Sequence, residues 1–222
     1  MIINPSALAK IIDHTALRPE TTDKQIVQLC KDAGEFGFGA VCIAPIWVTL
    51  AVKTLGCAST KVATVVGFPH GNVPSNIKTF EAMQAINSGA NELDVVINIG
   101  ALKSGNQEVV FQDIQSVVHM AKKSGIIIKA IIETSLLTDD EKVLASQLVE
   151  KAGADFVKTS TGFTASGATV RDVALIKRTV GNRLGVKASG GIRDLATALA
   201  MIEAGATRLG CSSSVSILKE FH

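Results

Sequence analysis

The sequence predicts a single-domain (β/α)8 TIM barrel, and three observations carry that reading. Eight short β-type runs alternate with helical stretches, the chain is 222 residues long, and no glycine-rich dinucleotide turn follows the first run. Barrels of this length are commonly one domain, here spanning residues 1–222. Strands separated by single helices run parallel, because such a crossover returns the chain in its original direction.

Taken in order, "IIDHT" (11–15) is the first strand, apolar until Asp13, and "TTDKQIVQLCKDAGEFG" (21–37) is a helix opened by a cap-like Thr and closed by Gly. "AVCIAP" (40–45) precedes a more apolar helical stretch, "PIWVTLAVKTLG" (45–56). "KVATVVGF" (61–68) leads to the helix "PSNIKTFEAMQAINSGA" (74–90), and "ELDVVINI" (92–99) to "GNQEVVFQDIQSVVHMAKKSG" (105–125). "IIIKAIIE" (126–133) is followed by "TDDEKVLASQLVEKAGA" (138–154), and "DFVKTS" (155–160) by "ATVRDVALIKRTVG" (168–181). The last unit is "GVKAS" (185–189), the helix "RDLATALAMIEAGA" (193–206) and the strand "TRLGCS" (207–212). The strands are rich in β-branched residues, while the helices start at capping residues and end in Gly.

Composition narrows the function. A net charge of +2 with both signs interspersed gives no footprint for nucleic acid, and no apolar run reaches the roughly 18 residues of a membrane helix. A cytoplasmic protein acting on a small molecule is expected. Cys30, Cys42, Cys57 and Cys211 are scattered, so neither a disulfide framework nor a zinc site is indicated, and the four read as reduced apolar residues.

Chemistry enters through charges placed where the strands ask for apolar residues. Asp94, Lys129, Lys158 and Lys187 fall on the fourth to seventh strands, neighbouring staves whose C-terminal ends form the floor of a barrel site. A single strand-end lysine can reach water with its ammonium, but four charges on consecutive strands point to a shared pocket. Crowded ammonium groups repel and burial penalises charge, so one lysine is expected well below the reference pKa of ~10.4. A neutral lysine attacks a carbonyl and forms an imine, which permits carbon–carbon cleavage without a metal. Lys158 is the favoured nucleophile because hydroxyls and a Gly turn follow it in "VKTSTG", with Lys187 as its pKa-lowering neighbour. Asp94 is placed as a proton shuttle, through water, between substrate and Lys187; Lys129 either tunes the other charges or pairs with Asp94. Asp13, next to the eighth strand by closure, is expected to orient substrate hydroxyls or a lysine.

A second constellation suits a phosphate. "ASGGIRD" follows the seventh strand and "GCSSSV" ends the eighth, and such loops frequently bind phosphate in barrels. Gly190 and Gly191 permit close backbone approach, Ser212 and Ser213 add hydroxyls, and Thr161 and Gly162 complete a ring of donors. His14 reads as a core histidine and Cys42 as a packing residue, while His70 and His119 lack companions at metal-ligand spacing.

The strings "DHTAL", "VCIAP", "VVGFPHG", "ELDVVINIGALKSG", "KAIIETSLLTDDEK", "GADFVKTSTGF" and "VKASGGIRD" together resemble the deoxyribose-phosphate aldolases over nearly the whole chain. The resemblance implies a class I aldolase that reversibly cleaves 2-deoxy-D-ribose 5-phosphate into acetaldehyde and D-glyceraldehyde 3-phosphate, with no metal or other cofactor. It implies Lys158 as the Schiff-base lysine, Lys187 as the second lysine, Asp94 as its proton-relay partner, and serines near the phosphate at Ser212 and Ser213. Some members carry a C-terminal tyrosine that assists proton transfer; this chain ends "LKEFH" and has no Tyr, so that step falls to Asp94, Lys187 and water. His70 stands where an apolar residue is more familiar. The rival readings are a keto-acid aldolase or transaldolase-like barrel, which the paired lysines disfavour, and a silent sugar-phosphate sensor. The oligomeric state is left open, with an exposed helix face able to support a homodimer.

Overall fold

Each of the eight β-type runs forms a strand in the computed structural model, which describes residues 4–221. They are β1 Ile12–Ala16, β2 Ala40–Ile43, β3 Lys61–Val66, β4 Glu92–Val96, β5 Ile127–Ile131, β6 Phe156–Lys158, β7 Gly185–Ser189 and β8 Arg208–Cys211. All neighbours pair in parallel and in sequence order, and β1 pairs β8 through Asp13 opposite Gly210 to close the barrel. The helices are α1 Pro5–Lys10, α2 Asp23–Phe36, α3 Val48–Leu55, α4 Ser75–Asn87, α5 Ile99–Lys103, α6 Gln107–Lys122, α7 Asp139–Ala152, α8 Val170–Val180, α9 Leu195–Glu203 and α10 Ser214–Lys219.

Five of the six expected helix caps are in place; α4 instead starts after Pro74 with no side-chain cap. Thr22 and Thr138 each form a reciprocal capping box with the third helical residue, and Asn106, Thr169 and Asp194 cap α6, α8 and α9. Three short helices, α1, α5 and α10, were not expected. Their five or six residues leave too little periodicity to register, and α5 lies partly inside a run read as strand to residue 99. The strand instead stops at Val96, and the Asn98 side chain caps α5 by accepting from the Ala101 N–H at 3.0 Å. Several other expected strands also ran on too far at their C-terminal ends. Segments there, such as Ile97 and Thr159–Ser160, are buried without being strand, so hydropathy does not mark the end.

Side-chain alternation then sorts the strands into two faces. The outward residues, among them Val41, Leu93, Val95, Val157, Val186 and Leu209, pack with the helices in the main core. Only Ala40, Cys42, Ala63 and Val65, on β2 and β3, form an apolar cluster inside the barrel. The other staves put charge there.

One buried ion pair on the outer layer anchors the strand that carries Asp94. Lys78 of α4 is fully buried; its Nζ donates to Asp113 of α6 at 2.5 Å and to the Val96 carbonyl, at the end of β4, at 2.7 Å. Removing one partner of such a pair leaves a buried charge uncompensated. The Lys78→Met variant is therefore expected to lose about 3–5 kcal/mol of stability in urea unfolding, by stranding Asp113.

Candidate active site

A cavity of about 460 Å³ opens where the loops follow β1, β6, β7 and β8, at the C-terminal end of the barrel. Thr15, Arg18 and Gln25 line it from the β1 side, Thr161, Gly162 and Phe163 from the β6 loop, and Gly190, Gly191 and Arg193 from the β7 loop. Ser212 and Gly210 close the ring, and Lys158 is at the base. Ser213 stands one residue further on, at the N-cap of α10, and does not line the cavity. His70 is exposed and His119 lies on the exposed face of α6, both outside the site. His14 faces away from the barrel axis, its Nδ1 3.1 Å from Ser214 Oγ, and burial lowers its pKa against the opposing pull of Asp32.

Beneath the cavity lies a connected set of buried charges. It holds three carboxylates, Asp13, Glu92 and Asp94, against four cations, Lys129, Lys158, Lys187 and Arg208. Asp94 is at the centre: its Oδ2 accepts from Lys158 at 2.7 Å and from Lys187 at 2.6 Å, and its Oδ1 from Lys129 at 2.9 Å. Lys187 also donates to Asp13, Lys129 lies 2.6 Å from Glu92, and Arg208 joins Asp13 to Glu92, its Nε donating to Asp13 and its Nη2 lying 2.8 Å from both Glu92 oxygens. Gly210 leaves room for this packing, since a Cβ there would lie 2.9 Å from Ser189 Cβ and 3.2 Å from Lys187 Cε.

The number of acidic partners separates the lysines. Among the described residues, Lys129 is within salt-bridge range of three carboxylates, Lys187 of two and Lys158 of Asp94 alone. Burial lowers the pKa of all three. For Lys187, Asp13 and Asp94 more than offset it, and for Lys129, Asp94 with Asp13 and Glu92 does so, leaving both pKa values raised. For Lys158 burial prevails: Asp94 opposes it, Lys187 adds repulsion, and the net shift is downward. Burial would raise Asp94, yet Lys129, Lys158 and Lys187 bring it well below the usual carboxylate range, and Lys187, Lys129 and Arg208 bring Asp13 down to about 2. Withdrawing the proton of Lys158 leaves three cations facing three carboxylates.

Asp13 and Lys129 are both fully buried and neither lines the cavity: Lys129 pairs with Asp94 at 2.9 Å and Asp13 accepts from Lys187, so of the alternatives open to each, the geometry fits pairing with a neighbouring charge and not contact with substrate. Asp94 is likewise fully buried, and it bridges Lys158 to Lys187 directly. Arg208 and Glu92 were missed, although both are charges within strand runs, the signal that singled out the lysines. Arg18 and Arg193 were also missed; each follows a strand within five residues, where a barrel loop turns over the site. Cys42 lies in the apolar half with Sγ 3.9 Å from Asp94 Oδ2, and burial and the carboxylate push its thiol up to about 11. Cys57, one of the four cysteines read as reduced apolar residues, is free but exposed.

The loops bring further polar groups to the cavity. Gly190 and Gly191 take φ of +86° and +81°, and a Cβ on Gly190 would lie 2.9 Å from Gly167 Cα, so the turn passes close to the β6 loop only with glycine. Glu133 was read as the end of the fifth strand. It is instead a left-handed residue, φ 55° and ψ 68°, buried two residues beyond β5, and its carboxylate accepts from the Thr161 N–H at 3.1 Å and from the Thr161 hydroxyl. A left-handed non-glycine residue costs roughly 1–2 kcal/mol, offset here by those hydrogen bonds.

Among the described residues, no group of three or more His, Cys, Asp or Glu could hold a metal ion, and no helix is long and apolar enough to cross a membrane. A parallel eight-stranded barrel whose open pocket exposes one buried amine of lowered pKa belongs to the class of barrel enzymes equipped for imine chemistry on a carbonyl. Comparison with known proteins makes the assignment specific. The chain belongs to the DeoC/LacD family aldolases, whose family model matches residues 7–220. It is 54% identical over 212 residues to a deoxyribose-phosphate aldolase of Geobacillus sp. strain WCH70, covering 96% of this chain and 95% of that one. With its counterpart from Halalkalibacterium halodurans the identity is 55% over 213 residues, 96% and 95% of the two chains. Among solved structures, the tetrameric deoxyribose phosphate aldolase of Aeropyrum pernix superposes with a TM-score of 0.90 at 35% identity, over 98% of this chain and 92% of that one. The aldolase QR15 gives 0.92 at 42% identity, over 96% and 95%.

Proposed function

We propose that this protein is a class I aldolase that reversibly cleaves 2-deoxy-D-ribose 5-phosphate into acetaldehyde and D-glyceraldehyde 3-phosphate through an imine on Lys158. One observation carries the residue assignment: of the seven clustered charges, Lys158 alone lines the cavity and alone among the three lysines has its pKa lowered. The family and the named relatives support the substrate.

The reaction runs as follows in this site. The neutral Lys158 amine adds to the C1 aldehyde to give a carbinolamine, which loses water to leave a protonated imine. Loss of the C3 hydroxyl proton to solvent water in the open cavity lets the C2–C3 bonding pair move into the iminium, releasing glyceraldehyde phosphate and an enamine. Return of a proton from water to the enamine at C2, and addition of water to the resulting iminium, release acetaldehyde and the free amine. Asp94 Oδ2, shared by Lys158 and Lys187, is the relay through which Lys158 passes its proton and regains it. Lys187, its pKa raised, holds the positive charge beside the reacting nitrogen in every step. The loop at Gly190 and Gly191, with Gly162, Ser212 and Arg193, is the phosphate end of the cavity. Homo-oligomeric assembly fits this reading, since the A. pernix aldolase is tetrameric and Ile77, Phe80 and Met83 form an exposed apolar stripe on α4.

Reductive trapping tests the assignment. Acetaldehyde with borohydride is expected to add an ethyl-sized mass to the peptide containing Lys158. An unmodified protein would favour a sugar-phosphate sensor, and modification of Lys187 instead would overturn the choice of nucleophile.

A further inference from the structure

We propose that Glu133 is a positioning residue that turns Thr161 into a hydrogen-bond acceptor, and that Thr161 thereby selects substrates bearing a hydroxyl between the cleaved bond and the phosphate. The proposal rests on the aldolase reading above and adds to it a determinant of substrate choice.

Thr161 Oγ1 has one proton to give and two lone pairs to receive with. A carboxylate can only accept, and Glu133 Oε2 takes both the Thr161 N–H and the Thr161 hydroxyl proton. The Phe163 N–H donates to Thr161 Oγ1 at 3.1 Å and occupies one lone pair. A single lone pair remains, on a side chain that lines the cavity with Lys158. Thr161 therefore cannot serve as the phosphate donor that the sequence suggested.

Glu133 is held to this task from the other side. It is buried, and its second oxygen lies 3.1 Å from the Thr164 hydroxyl, which also has the Ser166 carbonyl at 3.2 Å. The carboxylate thus ties both ends of the segment 161–164, and the loop cannot turn the Thr161 hydroxyl without breaking it.

The chemistry of cleavage says which substrate group a bare lone pair suits. The C3 hydroxyl loses its proton and becomes a carbonyl, whose oxygen would be repelled by a lone pair. The C4 hydroxyl keeps its proton throughout, and an acceptor facing it binds ground state and products alike. A site built to accept from a hydroxyl rejects the analogue that lacks it, because its own acceptor is then left unpaired.

The test compares kcat/KM for cleavage of 2-deoxy-D-ribose 5-phosphate and its 2,4-dideoxy analogue. Their ratio cancels any general loss of activity. The ratio is expected to fall by about tenfold, the size of one good hydrogen bond, in Glu133→Ala and in Thr161→Val. It is expected to survive in Glu133→Gln, whose amide oxygen can still take both Thr161 donors. A ratio equal to that of the unmodified protein in Glu133→Ala and Thr161→Val overturns the proposal. Should Glu133→Ala fail to fold, Thr161→Val decides alone, a tenfold fall supporting the proposal and an unchanged ratio overturning it. If the unmodified protein cleaves neither sugar, it is the aldolase reading that fails; if it cleaves both and only the ratios refuse to move, this inference fails by itself.

Discussion

Replacing Lys158 with methionine lowers kcat for cleavage of 2-deoxy-D-ribose 5-phosphate by on the order of 10⁴-fold or more, while the protein stays folded. The loss is large because no other group can take over the nucleophile. Lys187 and Lys129 have raised pKa values and remain ammonium ions, and neither lines the cavity. Removing a covalent nucleophile leaves only binding and electrostatic stabilisation, which account for a small part of the acceleration. The fold survives for an electrostatic reason. Without Lys158, Asp94 keeps Lys129 at 2.9 Å and Lys187 at 2.6 Å, and the buried set becomes three cations against three carboxylates. Steady-state kinetics together with a thermal melt separates the two effects: a low melting temperature would mean that Lys158 is structural.

Lys187→Leu is expected to lower kcat at neutral pH by roughly 10²–10³-fold and to move the pH profile of imine trapping toward alkaline values. Both consequences have the same sign. Burial is the largest cause of the low Lys158 pKa, and it is unaltered by the change. The repulsion from Lys187 disappears, however, and Asp94 Oδ2, no longer shared, attracts Lys158 more strongly. Each effect stabilises the Lys158 ammonium, so its pKa rises and less free amine is present at pH 7. Activity should partly recover as the pH is raised. A profile that stays in place would show that Lys187 does not help depress its neighbour.

How much of this was legible in the sequence follows from which interactions are local. The eight strands, the long helices and their caps rest on periodicity and on Ser, Thr, Asn and Asp at fixed offsets, and these were readable. So was the coincidence of Asp94, Lys129, Lys158 and Lys187 on adjacent staves, because strand order in a barrel repeats sequence order. Pairing is another matter. Whether a buried lysine has one carboxylate or three depends on partners such as Asp13 and Glu92, which lie 116 and 37 residues from Lys129 and reach it from across the barrel and from the neighbouring strand β4. The sequence reading therefore treated Lys158 and Lys187 as mutually repelling amines. The observed difference between them comes from unequal shares of negative charge, set on a background of nearly complete burial for both. The left-handed turn at Glu133 was hidden for a related reason, since an acid ending an apolar run looks like a strand terminus until Thr161 is brought beside it.

Lys158 is the one lysine of the clustered set that gives up its proton easily. Titration of protein labelled with ¹³C at the lysine ε-carbon, with the Lys158→Met spectrum identifying the resonance, measures that property directly. The account predicts a Lys158 midpoint below the ordinary ~10.4, with Lys129 and Lys187 remaining protonated above it. A Lys158 resonance that titrates at or above the ordinary value, in step with the other two, would contradict it.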